Sequence, residues 1–293
     1  MDYLTQDWDS IQASWRRAWA RKDKGNDTIH YYIANVDTYL AWCKRTGDNS
    51  TSLESADSYV YHRERDSKYA ARNAATALKA LGRHLADLYE EPDPFKKLVV
   101  PKTPPPAKVP AATDEDLEKL LATCDDSWTG QRDRAIILTL ASTGMRRGEV
   151  ANIAPEDIDL VSETLHIPKT KTKTPRIVHL PEPLIKALLQ WKRVNPLPEL
   201  QWVGATGQGG TTGKAMTPGG IGAMLKRRER EGLGHLLGAH AWRRKFAGDW
   251  IKNQGTEVGL MAYAGWSSTQ MIARYSKSVA QENALNEAKR MMQ

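Results

Sequence analysis

A proline-rich stretch at residues 96–112 is the feature that most constrains the fold of this 293-residue chain. Five prolines stand in it, and proline is excluded from a helix interior because it lacks the N–H donor and its ring clashes with the preceding turn. The stretch therefore favours an extended conformation of the polyproline type. We predict a linker between two domains, residues 1–95 and 113–293. The prolines are Pro101, Pro104, Pro105, Pro106 and Pro110.

The charge of the chain limits the class of partner. The linker contains four lysines and no acidic residue, and the whole chain carries a formal net charge of +7. This basic surplus favours a polyanionic partner without saying which one. A soluble protein with an ordinary solvated surface stays open on charge alone. For the linker, a plain spacer and a segment that lies on a phosphate backbone are both open.

The composition also indicates the compartment. Two cysteines are too few for a disulfide framework, and they fit the reducing cytoplasm, where we expect the protein. The N-terminus lacks the basic and apolar regions of a signal peptide. The clearest apolar run, residues 135–141, is too short to cross a bilayer, so no membrane association is predicted.

Residues 1–95 are predicted to form an all-α helical bundle. Apolar residues recur at helical spacing from Ile29 to Cys43, with Asp27 or Thr28 as the cap and Gly47 at the end. A second long helix is predicted from Ser67 to Tyr89 on the basis of one apolar stripe. The stripe consists of Ala71, Ala74, Ala75, Leu78, Leu81, Leu85 and Leu88.

The second long helix also carries four basic residues on one face, because their spacing returns to nearly the same angle around the helix axis. A basic face on a slim, alanine-rich helix could enter a DNA major groove. A solvated lysine and arginine surface is an equally open interpretation. The four residues are Lys68, Arg72, Lys79 and Arg83.

Residues 113–293 are predicted to be mainly α-helical with a small antiparallel β-hairpin. Thr113 begins a capped helix, and an apolar helix follows over 132–142 and ends near Gly144. The hairpin strands are predicted at 165–167 and 176–180. We interpret the Gly/Thr-rich residues 204–222 as a flexible loop. Further helices are predicted at 183–191, 221–231, 239–253, 258–264 and 269–275, followed by an amphipathic tail over 279–292.

Two arginine motifs lie in this second region. Residues 143–150 contain Arg146 followed three residues later by Glu149, whose carboxylate could brace the guanidinium. A guanidinium offers forked donors to two phosphate oxygens and keeps its charge. Residues 240–244 place His240 and Arg243 at an i, i+3 spacing, hence on one helical face. The pKa of histidine suits proton transfer near neutral pH.

Two further motifs complete the set. The hairpin tip alternates lysine and threonine, with Lys169, Lys171 and Lys173, although lysines at such a tip are usually just solvated. Near the C-terminus, Trp266 precedes Tyr275 by nine residues. The indole N–H of a tryptophan can donate one hydrogen bond but cannot shuttle a proton.

In this order, the four motifs resemble those of tyrosine recombinases of the phage-integrase family. Residues from about 113 to 278 are similar to the catalytic domain, and residues from about 5 to 92 to its SAM-like helical core-binding domain. The resemblance implies a fold of an all-α bundle joined to a mainly α domain with a small β-sheet. It also selects Arg146 rather than Arg147 as the first phosphate ligand, and Lys171 among the hairpin lysines.

The resemblance further implies a site-specific recombinase that cuts DNA through a 3′-phosphotyrosyl intermediate. The nucleophile is then Tyr275, and Lys171 protonates the leaving 5′ oxygen. Arg146, Arg243, His240 and Trp266 hold the phosphate, with neither metal nor cofactor. Trp266 stands where the family usually has histidine, which leaves proton transfer to His240 and Lys171. The DNA-binding residues would include Lys68, Arg72, Lys79, Arg83, Lys169 and Lys173.

The partner implied is double-stranded DNA carrying recombination sites. The protein would act as a homo-tetramer on DNA and be a monomer or weak oligomer when free, encoded by a bacterium, a phage or a mobile element. Two alternatives stay open at this point. One is a DNA relaxase resembling type IB topoisomerases, and the other is a non-catalytic DNA-binding protein derived from a recombinase.

Overall fold

The fold is described from a computed structural model, which covers residues 3–22, 25–104, 110–168, 175–207 and 209–266, with positions 288, 291 and 292. The chain divides into two compact units, Met1–Ala107 and Lys108–Gln293. Each unit has its own buried core. No helix among the described residues is both long and apolar enough to cross a membrane.

The first unit is helical throughout its described elements. Its helices are α1 (Tyr3–Gln6), α2 (Trp8–Arg21), α3 (Asn26–Thr46), α4 (Leu53–Glu64) and α5 (Lys68–Tyr89). The core is built around fully buried aromatic side chains, because these remove the largest apolar areas from water. They are Trp15, Tyr39, Tyr59 and Phe95.

The structure confirms the predicted end of α3 but not its predicted N-cap. α3 begins at Asn26 with Gly25 as its N-cap, so the predicted cap at Asp27 or Thr28 is wrong. The helix extends a turn beyond its first buried residue, Ile29, and takes both predicted cap residues into its first turn. Its end at Gly47 is confirmed, and the φ angle of 79° there is one that glycine adopts without strain.

The apolar stripe that led to the prediction of α5 is buried, except at its end. The residues of the stripe from Ala71 to Leu85 lie in the core, whereas Leu88 is 41% exposed. Leu88 is exposed because the last turn of α5 extends past the buried cluster, where Tyr89 and Glu90 are exposed as well. Helical periodicity therefore identifies the inward face of α5, while the packing partners decide how far along the helix burial continues.

The second unit is mainly helical with two small antiparallel sheets, which confirms the predicted fold class. Its helices are α6 (Asp114–Ala122), α7 (Trp128–Thr143), α8 (Arg147–Ala151), α9 (Glu182–Val194), α10 (Pro218–Gly232), α11 (Ala239–Lys252) and α12 (Glu257–Ala264). A short 3₁₀ helix spans Pro155–Asp157. Strands β1 (Ile158–Asp159), β2 (Thr164–Ile167) and β3 (Arg176–His179) form one sheet, and β4 (Val203–Ala205) and β5 (Thr211–Ala215) the other.

The helix α7 lies at the centre of the second unit and packs against α9 and α11. It ends at Gly144, as predicted, with a φ angle of 59°. A side chain at this position would also collide with the ring of Phe246, only 2.5 Å from the Cβ position. The turn at Gly144 therefore requires glycine for two reasons, and it sends the chain directly into the Arg146 motif.

The Gly/Thr-rich segment is not the loop that the sequence predicts. Strands β4 and β5 pair with each other in this segment, with Val203 opposite Ala215 and Ala205 opposite Thr211. α10 then begins at Pro218, capped by the Thr217 hydroxyl. The β-branched threonines favour a pleated strand, and proline is well suited to the first turn of a helix. The high glycine content of the segment favours a loop prediction and outweighs the threonine and proline signals.

Candidate active site

Arg146 is positioned by the short helix α8, for which it is the N-cap residue. Its backbone N–H donates to Glu149 Oε2 at 2.9 Å, and its Nη1 donates to Glu149 Oε1 at the same distance. The Arg146 side chain remains 30% exposed, so it is accessible to a ligand. The Arg-x-x-Glu spacing thus produces the bracing contact that it suggests, and it fixes the direction of the Arg146 side chain.

Glu149 is buried and binds a second arginine. Arg176 Nη2 donates to Glu149 Oε2 at 2.7 Å, and the Arg176 side chain is 5% exposed. Burial acts to raise the pKa of Glu149, but the hydrogen bond from Arg176, the Arg146 backbone N–H and both positive charges outweigh it. The net pKa lies below its ordinary value, so the carboxylate is ionised at neutral pH.

Arg176 is the residue near the site that sequence reasoning missed. It begins β3, where Arg176 and Val178 are buried while Ile177 and His179 are exposed. Side chains two residues apart share one face of a strand, so the alternation alone places Arg176 on the apolar side. A positively charged residue at an inward-facing strand position was therefore the sequence signal that could have identified Arg176. Its Nε also donates to the carbonyl oxygen of Tyr263 at 2.8 Å.

The helix α11 supplies His240 and Arg243. Arg243 is 2% exposed, and its guanidinium donates to the carbonyl oxygens of Gly144 and Ala264, the latter at 2.7 Å. Gly144 is the C-cap residue of α7, and Ala264 is the last residue of α12. His240 and Arg243 lie one helical turn apart, but they differ in their access to solvent. His240 is exposed, whereas Arg243 is buried. Arg243 therefore joins the motif at 143–150 to the one that begins at Gly265.

Trp266 lies in the core beside this arginine. It is 5% exposed and packs with Ala247, Leu260 and Ala264. The guanidinium carbon of Arg243 lies 5.1 Å from the centre of the Trp266 ring, which is the range of a cation–π contact. In addition, Arg146 Nη2 donates to the carbonyl oxygen of Gly265 at 3.4 Å. Three motifs that are far apart in sequence therefore meet at the ends of α7, α11 and α12.

His240 has a lowered pKa. Partial removal of the ring from water is the main cause, and the positive charges of Arg244, Arg243, Arg146 and Arg147 lower the pKa further. The imidazole is consequently neutral at neutral pH and can accept a proton. An anion bound among these arginines would reverse part of this effect.

Several predicted site residues cannot be placed. Lys169, Lys171, Lys173 and Tyr275 lie outside the described residues, as do the predicted helix at 269–275 and most of the tail at 279–292. Within the described part of the chain, no group of three or more His, Cys, Asp or Glu side chains is arranged to hold a metal ion.

The predicted basic face of α5 is divided between solvent and the chain itself. Lys68 and Arg83 are exposed, whereas Lys79 Nζ donates to the carbonyl oxygens of Lys96 and Leu98 at 2.6 and 3.0 Å. Arg72 is exposed and also donates to the Pro101 carbonyl at 3.2 Å. The first part of the proline-rich stretch therefore runs along α5 and binds part of its basic face.

Comparison with known proteins identifies the family. The profile of the phage integrase family matches residues 111–282. The tyrosine recombinase XerC of Oceanobacillus iheyensis is 29% identical over 276 residues, which cover 87% of this chain and 88% of that protein. The putative integrase/recombinase y4gC of Sinorhizobium fredii is 39% identical over 72 residues, which cover 25% of this chain and only 38% of y4gC.

A solved structure gives the same result for the fold. The site-specific recombinase XerH, in a post-cleavage complex with a palindromic difH substrate, has a TM-score of 0.67 to this chain at 20% identity. The likeness covers 92% of this chain and 80% of XerH. At this identity it shows a shared fold, whereas the profile match extends over more than half of the sequence. The chain is therefore a member of the phage integrase family.

Proposed function

We propose that the protein is a site-specific recombinase that cuts and rejoins double-stranded DNA through a covalent 3′-phosphotyrosyl intermediate. The observation that carries this proposal is the meeting of Arg146, Arg243 and the Gly265–Trp266 dipeptide, with neutral His240 beside them. Such an arrangement concentrates fixed positive charge where a phosphate could bind, next to a group that can take up a proton.

In the proposed reaction the Tyr275 oxygen attacks the scissile phosphorus, and a Tyr–O–P bond forms as the P–O5′ bond breaks. His240 takes the tyrosine proton, and Lys171 donates a proton to the leaving 5′ oxygen. The phosphotyrosine conserves the energy of the phosphodiester, so a 5′ hydroxyl from a partner duplex can reverse the attack. Each step is a balanced transesterification, and the scheme calls for no cofactor or metal.

The two arginines contribute in different ways. Arg146 is accessible and would donate directly to the non-bridging phosphate oxygens. Arg243 would be the second clamp, and its burial makes its charge more effective because the surrounding dielectric constant is low. The Trp266 indole would add one hydrogen bond to the phosphate, as the resemblance implies, only after its N–H turns out of the buried position that it has here.

DNA would be gripped by both units. Lys68 and Arg83 on α5 would contact phosphates, together with the hairpin lysines 169, 171 and 173. Arg72 and Lys79 would join them only after exchanging their carbonyl contacts for phosphate contacts. We further propose a homo-tetramer on DNA, a monomer or weak oligomer when free, and action in the cytoplasm, where the DNA substrate lies.

The test is a covalent-capture assay. Nicked duplexes tiled over the DNA that flanks the gene are incubated with the protein, and adducts that survive denaturation are counted and sequenced. We expect adducts on a defined site with the wild type and none with Tyr275→Phe, because only the tyrosine hydroxyl can form the bond. Tyr263→Phe is the matched control, since Tyr263 donates to the His179 carbonyl as a structural residue.

Other outcomes would identify the alternatives. If the wild type forms no adduct but binds the duplexes, the protein is a non-catalytic DNA-binding protein. If adducts form equally on all duplexes and supercoiled plasmid is relaxed without strand exchange, it is a relaxase. Exchange between two duplexes that carry the captured site distinguishes the recombinase from both.

A further inference from the structure

Arg176 is a buried cation to which the proposed reaction gives no task. Its side chain is 5% exposed, and it lies at the start of β3 on the inward face. We propose that Arg176 is a positioning residue, which acts through the Glu149 carboxylate to hold the Arg146 guanidinium in the orientation that receives the scissile phosphate. The proposal rests on the proposed function, because it assigns a role within that reaction.

Arg146 and Arg176 share the Glu149 carboxylate. Oε2 accepts from the Arg146 backbone N–H at 2.9 Å and from Arg176 Nη2 at 2.7 Å. Oε1 accepts from Arg146 Nη1 at 2.9 Å and from Arg176 Nη1 at 3.4 Å. Both oxygens are therefore held between the two arginines. Without Arg176 the carboxylate could turn further towards Arg146, and the Arg146 guanidinium would turn with it.

A second contact anchors Arg176 to the end of α12. Its Nε donates to the Tyr263 carbonyl at 2.8 Å, and a side chain added at Gly265 would come within 2.8 Å of Arg176 Nη1. Arg146 donates to the carbonyl of the same Gly265. Arg176 thus connects β3, which carries it, to α8 through Glu149 and to the end of α12 through the Tyr263 carbonyl. A group fixed at several points is what holds an active-site side chain within a narrow range of orientations.

Another buried arginine offers a matched control. Arg132 donates through Nη2 to Asp133 at 2.6 Å, and its side chain is 3% exposed. It also lies against the Trp128 ring, with its guanidinium carbon 5.4 Å from the ring centre, and donates to the Val203 carbonyl. These contacts tie α7 to β4. Arg132 and Arg176 are therefore similar in burial, carboxylate pairing and carbonyl bonding, but only the Arg176 carboxylate also holds Arg146.

The first measurement needs no DNA. The Nε–Hε signal of Arg146, assigned with Arg146→Lys, is followed by ¹⁵N relaxation in the wild type, Arg176→Gln and Arg132→Gln. We expect the order of this group to fall in Arg176→Gln and to be unchanged in Arg132→Gln. An unchanged Arg146 signal in Arg176→Gln overturns the proposal, whether or not the protein cleaves DNA.

The second measurement is single-turnover cleavage of the captured nicked duplex at saturating DNA. We expect Arg176→Gln to lower the rate by about 10- to 100-fold, because small misplacements of a catalytic group have this effect. The dissociation constant for DNA should change by less than about threefold, since most of the affinity comes from other phosphate contacts. Arg176→Lys, which keeps the charge, should recover part of the rate.

A methylphosphonate at the scissile position identifies the group through which Arg176 acts. This linkage carries one negative charge less, so it depends less on Arg146 in the transition state. The rate penalties of Arg146→Ala and Arg176→Gln should therefore both shrink on this substrate. An unreduced penalty for Arg176→Gln beside a reduced one for Arg146→Ala overturns the proposal, and so does an equal loss of rate in Arg132→Gln.

Thermal unfolding of all variants separates stability from positioning. Arg176→Gln and Arg132→Gln should lose comparable stability, and rates are compared at a temperature where both are folded. If Arg176→Gln does not fold, Arg176→Lys takes its place in each measurement. If the wild type forms no adduct on any duplex while the Arg146 signal responds to Arg176, the recombinase proposal fails and the positioning role stands.

Discussion

The two units of the chain present positive charge in different ways. On α5 of the first unit, Lys68, Arg72 and Arg83 are exposed to solvent. In the second unit, Arg176 and Arg243 are buried and held by a carboxylate or by backbone carbonyls. Exposed cations are screened by salt and add attraction without direction. Buried, hydrogen-bonded cations cost stability but are fixed in place. In the proposed recombinase we therefore expect the exposed cations of the first unit to add affinity for DNA and the fixed cations of the second to serve the chemistry.

The largest expected effect is on the stability of the second unit. Glu149→Gln removes the charge that compensates Arg176, and breaking a buried pair in this way typically costs about 3–5 kcal/mol at neutral pH. Urea unfolding of the wild type and Glu149→Gln measures the difference in the free energy of unfolding. Glu182→Gln is the control, because the Glu182 carboxylate is exposed and paired with Lys186 on the surface. An equal loss of stability in Glu182→Gln would contradict the distinction between buried and exposed ion pairs.

The pH dependence of this effect follows from the lowered pKa of Glu149. A carboxyl group whose pKa is lower in the folded state contributes stability above its unfolded value, ordinarily about 4.5, and loses it as pH falls through the folded pKa. The stability difference between the wild type and Glu149→Gln should therefore be full at neutral pH and shrink below the unfolded pKa. A difference that does not change with pH would mean that the ionised carboxylate is not its source.

The next effect is on cleavage. Arg146→Ala should lower the single-turnover rate by about 10²- to 10³-fold, the usual result of removing a fixed donor from developing negative charge. Arg147→Ala is the matched neighbour, since Arg147 is also exposed but has no contact with Glu149 among those described for the chain. Similar losses of cleavage rate in Arg146→Ala and Arg147→Ala would mean that the contact with Glu149 gives Arg146 no special role.

A smaller effect concerns the pH profile of cleavage. Because His240 must be neutral to accept a proton, the rate should fall on the acid side as His240 becomes protonated. Arg244 lowers the pKa of His240, so Arg244→Gln should raise that pKa and move the acid limb of the profile to higher pH. NMR titration of the His240 ring measures the same shift directly. An acid limb that stays in place in Arg244→Gln, or that persists in His240→Gln, assigns the proton to another group.

The smallest effect belongs to the first unit. The double variant Lys68→Ala/Arg83→Ala should weaken DNA binding, and it should flatten the dependence of log K on log salt by roughly 0.9 per lost phosphate contact. The cleavage rate at saturating DNA should not change. Lys79→Met should flatten the salt dependence by less than the roughly 0.9 expected for one lost phosphate contact, because the Lys79 ammonium is already bound to the carbonyls of Lys96 and Leu98. A flattening by one full contact in Lys79→Met would show that Lys79 exchanges its carbonyl contacts for a phosphate contact.

Local sequence signals predicted most of the helices because each depends on residues within a few turns. The capping box at Thr113 and Asp116 forms, and α7 ends at Gly144. The pairing of β4 with β5 was not predicted, because strand pairing joins residues whose glycine-rich composition is typical of a loop. Periodicity likewise does not show where a neighbouring helix stops, so the apolar stripe of α5 gives no sign that Leu88 is exposed.

The sequence by itself determined the order and spacing of the motifs, hence the family and the residue types offered to a phosphate. Only the tertiary structure decided which of them meet. Arg176 contacts Glu149 across 27 positions, and Arg243 contacts the Gly144 carbonyl across 99. The physical reason is range: helix periodicity and capping act within a few residues, whereas a buried cation is stable only where distant segments bring an acceptor to it.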